Sequence, residues 1–334
     1  MIIFPTANHG QFELEQKADD ITVCQANRVI LQAKITAVQA KLSIIECQGE
    51  QLLAACYALC ATYSLTEITR SVPTTADATS DLLWQEIDSN LWQLDSRALN
   101  QYAPLWLAPN LPTWYPQVQV LDDKGSYHPL RPAQDSLENL GALYRRFDPS
   151  INAWISLSAL NIEQHAQLFS DWQNNPRVAA FWDQTGTLAE HTAYLHELQK
   201  DPKVLPLIAS INDEPFAYFE AYWTKEDRIA PYFDVQDFDR GIHMLVGNEQ
   251  HRGPHKVQAW LSALCHFLFL NDARTNRIVS EPRADNQRMI SYMQGQDFVR
   301  LKEFNFPHKR AALMLLMRDA FFEKTNNYTN GDIK

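Results

Sequence analysis

Between positions 241 and 256 the chain gathers most of the chemistry that its residue types suggest. Gly241-Ile242-His243-Met244-Leu245-Val246 reads as a strand, and Gly247-Asn248-Glu249-Gln250-His251-Arg252-Gly253 as a loop before a helix that opens on Pro254. A helix amino terminus carries unpaired backbone N–H groups and the positive end of its dipole, and glycine lets a phosphate approach them. Gly253 is the expected point of access, with Arg252 and Lys256 facing the anion and His255 either donating to it or crowding it. Neither common nucleotide loop fits. A Walker loop would close on Gly-Lys-Ser/Thr, and a dinucleotide fingerprint needs three glycines at fixed spacing.

Charge supports a local anion site. The chain has 29 basic and 40 acidic residues, net −11, which argues against nucleic acid or an anionic membrane as its partner. Residues 251–310 hold ten basic and five acidic side chains, net +5, so the remainder carries −16. Glycine is scarce, ten in 334 residues, yet Gly241, Gly247 and Gly253 fall together. Five cysteines, Cys24, Cys47, Cys56, Cys60 and Cys265, form no paired framework, so reduced thiols and a cytoplasmic setting are expected. Cys56 and Cys60 could share a helix face as core thiols, and no metal site is expected. The opening Met1-Ile2-Ile3-Phe4-Pro5 lacks the basic and apolar regions of a secretory signal, and no apolar run is long enough to span a membrane.

At about 150 residues per domain the length suggests two domains. Short strands at Ile21 to Val23, Val29 to Leu31 and Leu42 to Ile45, and helices at Gln51 to Tyr63 and Leu82 to Trp92, are expected in the first. Six prolines between Tyr102 and Asp135 mark a connector, placing the boundary near Gly141 to Pro149, with domains at 1–148 and 149–324 and a frayed tail at 325–334. From Asn152 strands and helices alternate: a strand at Ile155 to Leu157, helices at Asn161 to Trp172 and Glu190 to Gln199, and a hairpin around Asn212-Asp213-Glu214. The helix from Pro254 leads to a strand at Arg277 to Ser280, a helix at Asn286 to Gln294 and a final strand pair. No internal repeat is visible. Asp234, Asp237 and Asp239 form an acidic loop that could attract a cationic substrate or simply be solvated.

Gln250-x-x-Gly253-x-His255 comes close to the Q/R-x-x-G-x-G/A loop that binds acyl-CoA, and Asn286 opens a short helix before an aromatic strand start at Phe298. With the runs Phe238-Asp239-Arg240-Gly241-Ile242-His243, Glu281-Pro282-Arg283-Ala284-Asp285-Asn286 and Lys302-Glu303-Phe304-Asn305-Phe306-Pro307-His308, the second domain resembles the siderophore-biosynthesis branch of the GNAT acyltransferase superfamily, on the side of the enzymes that acetylate N6-hydroxylysine. The resemblance implies an α+β GNAT fold with an added amino-terminal α+β domain, either a degenerate copy of that fold or a small cover. It also implies acetyl-CoA or succinyl-CoA as cosubstrate, a small N-hydroxylated amine as acceptor, and contacts with other enzymes of the pathway. The implied roles are His243 as general base, Asp285 as its orienting partner or as the cap of the next helix, and a main-chain N–H near Met244 or Leu245 at the thioester carbonyl. CoA would lie along Leu245, Val246, Gly247, Arg252, Gly253, His255, Lys256 and Asn286, and the acceptor near Trp182, Gln184, Tyr222, Trp223 and His308. An acetyltransferase of an ordinary amine and a noncatalytic CoA-binding scaffold stay open as alternatives.

Overall fold

The computed structural model describes the chain apart from residues 1, 7–9, 72–80, 113–114, 122–124, 126, 135–136 and 328–334. Most of the tail expected to fray therefore lies outside the described residues. Two compact units emerge, Met1–Pro109 with Phe322–Lys334, and Asn110–Phe321. The division falls inside the proline-rich stretch, between Pro109 and Asn110, earlier than the sequence suggests, and most of that stretch belongs to the second unit. That stretch is anchored inside the second unit, where Arg131 binds Glu226 at 2.8 Å and the Asp237 carbonyl at 2.8 Å. No described helix is long and apolar enough to cross a membrane.

The first unit is one mixed sheet built from β1 (Ile2–Thr6), β2 (Gly10–Lys17), β3 (Asp20–Gln25), β4 (Arg28–Thr36), β5 (Gln39–Ile45), β6 (Glu67–Ser71), β7 (Trp84–Asp88) and β8 (Leu91–Asp95). Alternating burial fixes the strands: Phe12 and Leu14 on β2 and Ile21 and Val23 on β3 point to the core. Ala26 and Asn27 take φ of 50° and 63°, the left-handed pair that a two-residue hairpin needs. Helix α1 (Gly49–Tyr63) crosses from β5 to β6 and buries Leu53, Cys56, Leu59 and Cys60. A short helix α2 (Ser96–Gln101) follows β8. The helix expected over Leu82 to Trp92 is instead the β7–β8 hairpin. Its turn is set by Asp88, whose carboxylate accepts the Ser89 N–H at 2.7 Å, and by Asn90 at φ 76°. This local turn chemistry outweighs the helix-like spacing of the apolar residues.

The second unit begins with a small pair, β9 (Gln119–Leu121) and β10 (Tyr127–Pro129), and then builds its own sheet. Strands β11 (Ala142–Asp148) and β12 (Ala153–Ala159) precede α3 (Ile162–Gln173), α4 (Pro176–Trp182) and α5 (Leu188–Lys200). Next come β13 (Val204–Ile211), β14 (Glu214–Trp223), β15 (Arg240–Val246), α6 (Pro254–Asn271), β16 (Arg277–Ser280), α7 (Gln287–Gln294), β17 (Val299–Asn305), β18 (Arg310–Met317) and α8 (Arg318–Asn327). Asn161, Asn175 and Thr187 cap α3, α4 and α5 through their side chains. Asn212 and Asp213 turn the β13–β14 hairpin at φ 49° and 66°.

The two sheets have the same strand order. The first runs β1-β2-β3-β4-β5-β6-β8-β7 and the second β11-β12-β13-β14-β15-β16-β18-β17. Among the described residues the only parallel pairing in each joins the fifth and sixth strands, β5 with β6 and β15 with β16, bridged by α1 and by α6. The repeat that is invisible in the residues is therefore present in the topology, and the amino-terminal domain has the connectivity of a reduced copy rather than of a separate cover. What it lacks is the α3–α5 insertion, since β2 passes to β3 by a tight turn.

In the second sheet β15 and β16 pair only at Arg240–Ile278 and Gly241–Val279. Beyond Gly241 the strands part, and β16 ends at Ser280. The opening bares one edge of β15 and lies next to the buried helix α6, the place where a ligand can enter an otherwise closed sheet.

Candidate active site

Strand β14 is apolar along most of its length, with Phe216, Tyr218, Phe219, Tyr222 and Trp223 buried, and Glu220 sits in the middle of it. A buried carboxylate needs partners, and Glu220 has three. The Tyr194 and Tyr218 hydroxyls donate to its Oε1 at 2.7 and 2.9 Å, and Nδ1 of His243 lies 2.8 Å from its Oε2. The strand register puts Glu220 directly opposite His243. On the other side of the ring, Nε2 lies 2.7 Å from Oε1 of Glu281, whose Oε2 accepts the Tyr222 hydroxyl at 2.7 Å. Glu281 is the first residue past β16, so the parting of the strands lets it reach across to β15.

With both carboxylates ionised, one state of the ring satisfies both contacts. A neutral imidazole has a single N–H, and its lone pair would face a carboxylate oxygen; an imidazolium donates at both ends. Burial opposes the charge on His243, but the charge of Glu281 and the hydrogen bonds to both carboxylates outweigh it and hold the ring well above its ordinary range. Burial likewise opposes the charges of Glu220 and Glu281, and their contacts with His243 and the tyrosines overcome it, keeping both below the usual carboxylate range. The His243 side chain is 24% exposed, against 7% and 1% for the two carboxylates, so the ring is the member that meets the cleft. Tyr222 lies against it at 4.7 Å between ring centres, and Trp182 stands edge-on at 6.3 Å.

The orienting partner expected in Asp285 is thus supplied by Glu220 and Glu281. Asp285 is exposed and held by Arg283, two residues away, at 2.8 and 3.0 Å. The cap of α7 is Asn286, whose Oδ1 accepts the Met289 N–H at 3.2 Å. Of the expected acceptor residues, Trp182 and Tyr222 reach His243. Trp223 does not, because alternation along β14 turns it to the opposite face, where the Arg131 and Arg240 guanidiniums each lie 4.2 Å from its ring centre. Gln184 accepts from Gln173 at 3.2 Å and braces the segment between α4 and α5. His308 is exposed and stacks on Phe306 with ring centres 5.4 Å apart. Two members of the acidic loop are paired, Asp239 with Arg277 at 2.5 Å and Asp237 with Lys225, while Asp234 is exposed.

At the other end of β15, Gly253 caps α6 with φ 117°, a conformation that side chains rarely adopt, and space lies open where a Cβ would be. Arg252 and His255 are exposed beside it, while Lys256 turns back to donate to the Gln250 carbonyl at 2.7 Å. The Leu245 side chain is buried in the core with Phe169 and Tyr218. Gly247 donates to the Phe216 carbonyl at 2.9 Å, so alternation directs the backbone groups of Ile242, Met244 and Val246 to the open edge. There Ser280 Oγ donates to the Ile242 carbonyl at 3.3 Å and Arg177 to the Val246 carbonyl at 2.8 Å, with Met244 between them.

Sequence reasoning missed Glu220, Glu281, Tyr194 and Arg177. The first had a readable signal, a carboxylate alone in a run of buried aromatic and small residues. The others depend on contacts made across the fold.

Residues 161–306 match the family model of the acetyltransferase (GNAT) domain. The chain is similar to the N(6)-hydroxylysine O-acetyltransferase of Escherichia coli, 38% identical over 234 residues that cover 70% of each protein. It is also similar to a hydroxyornithine transacylase of Ajellomyces capsulatus, 38% identical over 67% of this chain and 54% of that one. Among solved structures, an uncharacterized protein of Bacillus halodurans aligns with a TM-score of 0.53 at 27% identity, covering 55% of this chain and 95% of the other. With the parted strands, the glycine-capped helix and these likenesses together, the chain belongs to the GNAT acyltransferase family, enzymes that take an acyl-CoA as cosubstrate.

Proposed function

We propose that the protein transfers an acetyl or succinyl group from CoA to the nitrogen of an N-hydroxylated amine, such as N6-hydroxylysine, N-hydroxyputrescine or N-hydroxycadaverine, forming a hydroxamate for siderophore assembly in the cytoplasm alongside other enzymes of that pathway. The observation that carries this reading is the imidazolium wedged between Glu220 and Glu281. An alkylamine with a pKa of about 10.4 is neutral to only roughly one part in a thousand at pH 7, so it needs a base before it can attack. A doubly paired imidazolium has no lone pair to offer. An N-hydroxylated amine is far less basic and already largely neutral, so the site suits it. The names of the similar enzymes point the same way.

In the reaction the acceptor nitrogen bonds to the thioester carbon, with the backbone N–H of Met244 facing the developing oxyanion. As the carbon–sulfur bond breaks, the His243 imidazolium turns one N–H from its carboxylate to the leaving sulfur, and the lone pair this frees takes the proton of the attacking nitrogen, leaving CoA thiol and hydroxamate. Glu220 and Glu281 keep the ring oriented and restore its charge. Arg252, Gly253, His255 and the start of α6 hold the pyrophosphate.

A thiol-release assay with acetyl-CoA should show N-hydroxylated amines turned over at least about a hundredfold faster than their parent amines. The product should give the coloured iron(III) complex of a hydroxamate. No release with any hydroxylamine would overturn the reading, equal rates with parent amines would favour an ordinary amine acetyltransferase, and thiol release without the iron colour would place the acyl group on oxygen.

The pH profile is a separate check. A base of ordinary histidine pKa would make the rate rise through about pH 6.5. Here His243 stays charged across neutrality, so kcat should be flat there, falling only as rising pH strips the ring at its raised pKa or falling pH protonates the lowered carboxylates. Stability follows the same signs. The His243 contribution is complete below its unfolded pKa and lost as pH rises through the raised one, and the carboxylate contribution is complete above the unfolded value and lost as pH falls through the lowered one. Glu281→Gln removes one pairing and should bring the inflection back toward neutral pH; a neutral inflection in the unaltered protein would contradict the assigned charge state.

A further inference from the structure

The cleft carries basic groups that the proton-handling unit does not use. Arg228 is exposed, and among the described residues no hydrogen bond or ion pair is assigned to it; its guanidinium carbon lies 5.4 Å from the centre of the Phe306 ring. Lys309 Nζ lies 5.5 Å from the same ring and donates to the Glu281 carbonyl at 2.8 Å. His308 stacks on that ring as well. Phe306 shares a buried cluster with Tyr222, and Tyr222 lies against His243. Three basic side chains therefore surround one aromatic ring a single residue removed from the reacting histidine.

The nearby acids do not cancel this charge. Glu281 is committed to His243, Tyr222 and Lys309, and Asp227 is half-buried and accepts the Ile229 N–H at 3.0 Å. Asp237 and Asp239 are tied to Lys225 and Arg277. An anion would find Arg228 with its planar fork free to pair.

Resting on the acyl-transfer reading above, we propose that Arg228, flanked by Lys309 and His308, binds the carboxylate of a reactant. Two sources supply that chemistry: the α-carboxylate of an amino-acid acceptor such as N6-hydroxylysine, or the distal carboxylate of a dicarboxylic acyl donor such as succinyl-CoA. Arg228 acts on binding and takes no part in proton transfer.

The experiment compares initial rates of the full chain with Arg228→Ala and Arg228→Lys. One arm pairs acetyl-CoA with N6-hydroxylysine and with N-hydroxycadaverine, the same chain without the carboxylate. The other pairs N-hydroxycadaverine with succinyl-CoA and with acetyl-CoA. A charge-assisted hydrogen bond of about 1.5–3 kcal/mol corresponds to roughly 10- to 100-fold in kcat/KM. Arg228→Ala should lower kcat/KM for the carboxylate-bearing member of one arm by that factor relative to its partner, mainly through KM, and Arg228→Lys should restore part of it. The arm that responds identifies the source. Turnover with both ratios unmoved by Arg228→Ala would overturn this site alone; absence of turnover with every hydroxylamine would overturn the acyl-transfer reading on which it rests.

Discussion

His243→Ala should lower kcat by about 10²- to 10⁴-fold, the span over which a positioned acid–base group acts, while acyl-CoA binding measured by calorimetry stays close to that of the unaltered protein. The separation is expected because His243 lies in the middle of β15, whereas Gly253 and the start of α6 lie beyond its carboxyl end. The same substitution should cost about 3–5 kcal/mol of stability at neutral pH, because it leaves Glu220 and Glu281 buried without the cation between them. That loss should shrink as pH falls, since protonating the carboxylates removes the uncompensated charges. Loss of CoA binding together with turnover would mean that His243 organises the whole cleft instead of its chemistry.

The second large effect is expected at a residue with no side chain. A Cβ on Gly241 would lie 2.0 Å from the Tyr222 ring, so Gly241→Ala requires that ring to move or the strands to separate. Tyr222 has little room: it is buried, it donates to Glu281 and it covers His243. Overpacking of this kind costs about 1–3 kcal/mol and displaces whatever the moved group was holding. Gly241→Ala should therefore lower the urea midpoint and depress kcat together, although it touches no reacting atom. Unchanged stability with normal turnover would mean that the ring can shift without disturbing Glu281. Gly247 is constrained similarly, a Cβ there falling 2.1 Å from the Trp172 ring. Two of the three clustered glycines thus make room for aromatic rings, and the third supplies the backbone conformation at the helix start.

Much of the second unit was legible because its signals are local. Asn161 before an amphipathic stretch marks α3, Asn212-Asp213 marks a hairpin, and the strand at Arg277 to Ser280 is bounded as expected. The glycine at the start of α6 and the strand that carries His243 were legible for the same reason, since each depends on neighbours a few residues away. The partners of His243 were not. Asp285 stands in the right segment, but Arg283 holds it at the surface, and the residue that reaches the ring is Glu281, four positions earlier, at the point where β16 ends. A shift of that size is set by where two strands stop pairing, which no local pattern encodes. Trp223 illustrates a further limit. It neighbours Tyr222 in sequence, yet the period of the strand sends the two rings to opposite faces, one against His243 and one between two arginines. In the first unit the helix expected over Leu82 to Trp92 failed because the turn made by the Asp88 carboxylate on the Ser89 N–H and by the left-handed Asn90 is a stronger instruction than apolar spacing.

The shared strand order of the two sheets bears on what an amino-acid sequence must specify. Sixteen strands fall into two identical arrangements without a visible repeat in their residues, so the arrangement itself demands little: alternating burial, tight turns and one helical crossover. Many unlike sequences meet those demands. The acyl-transfer cleft demands particular residues at particular places, and the first unit does not supply them: its crossover helix begins at Gly49-Glu50, with a carboxylate in the first turn, where α6 follows Arg252 and Gly253. An anion welcomed at one helix start would be repelled at the other. Architecture is the redundant part of this chain's information, written twice in different words, and chemistry is the part written once.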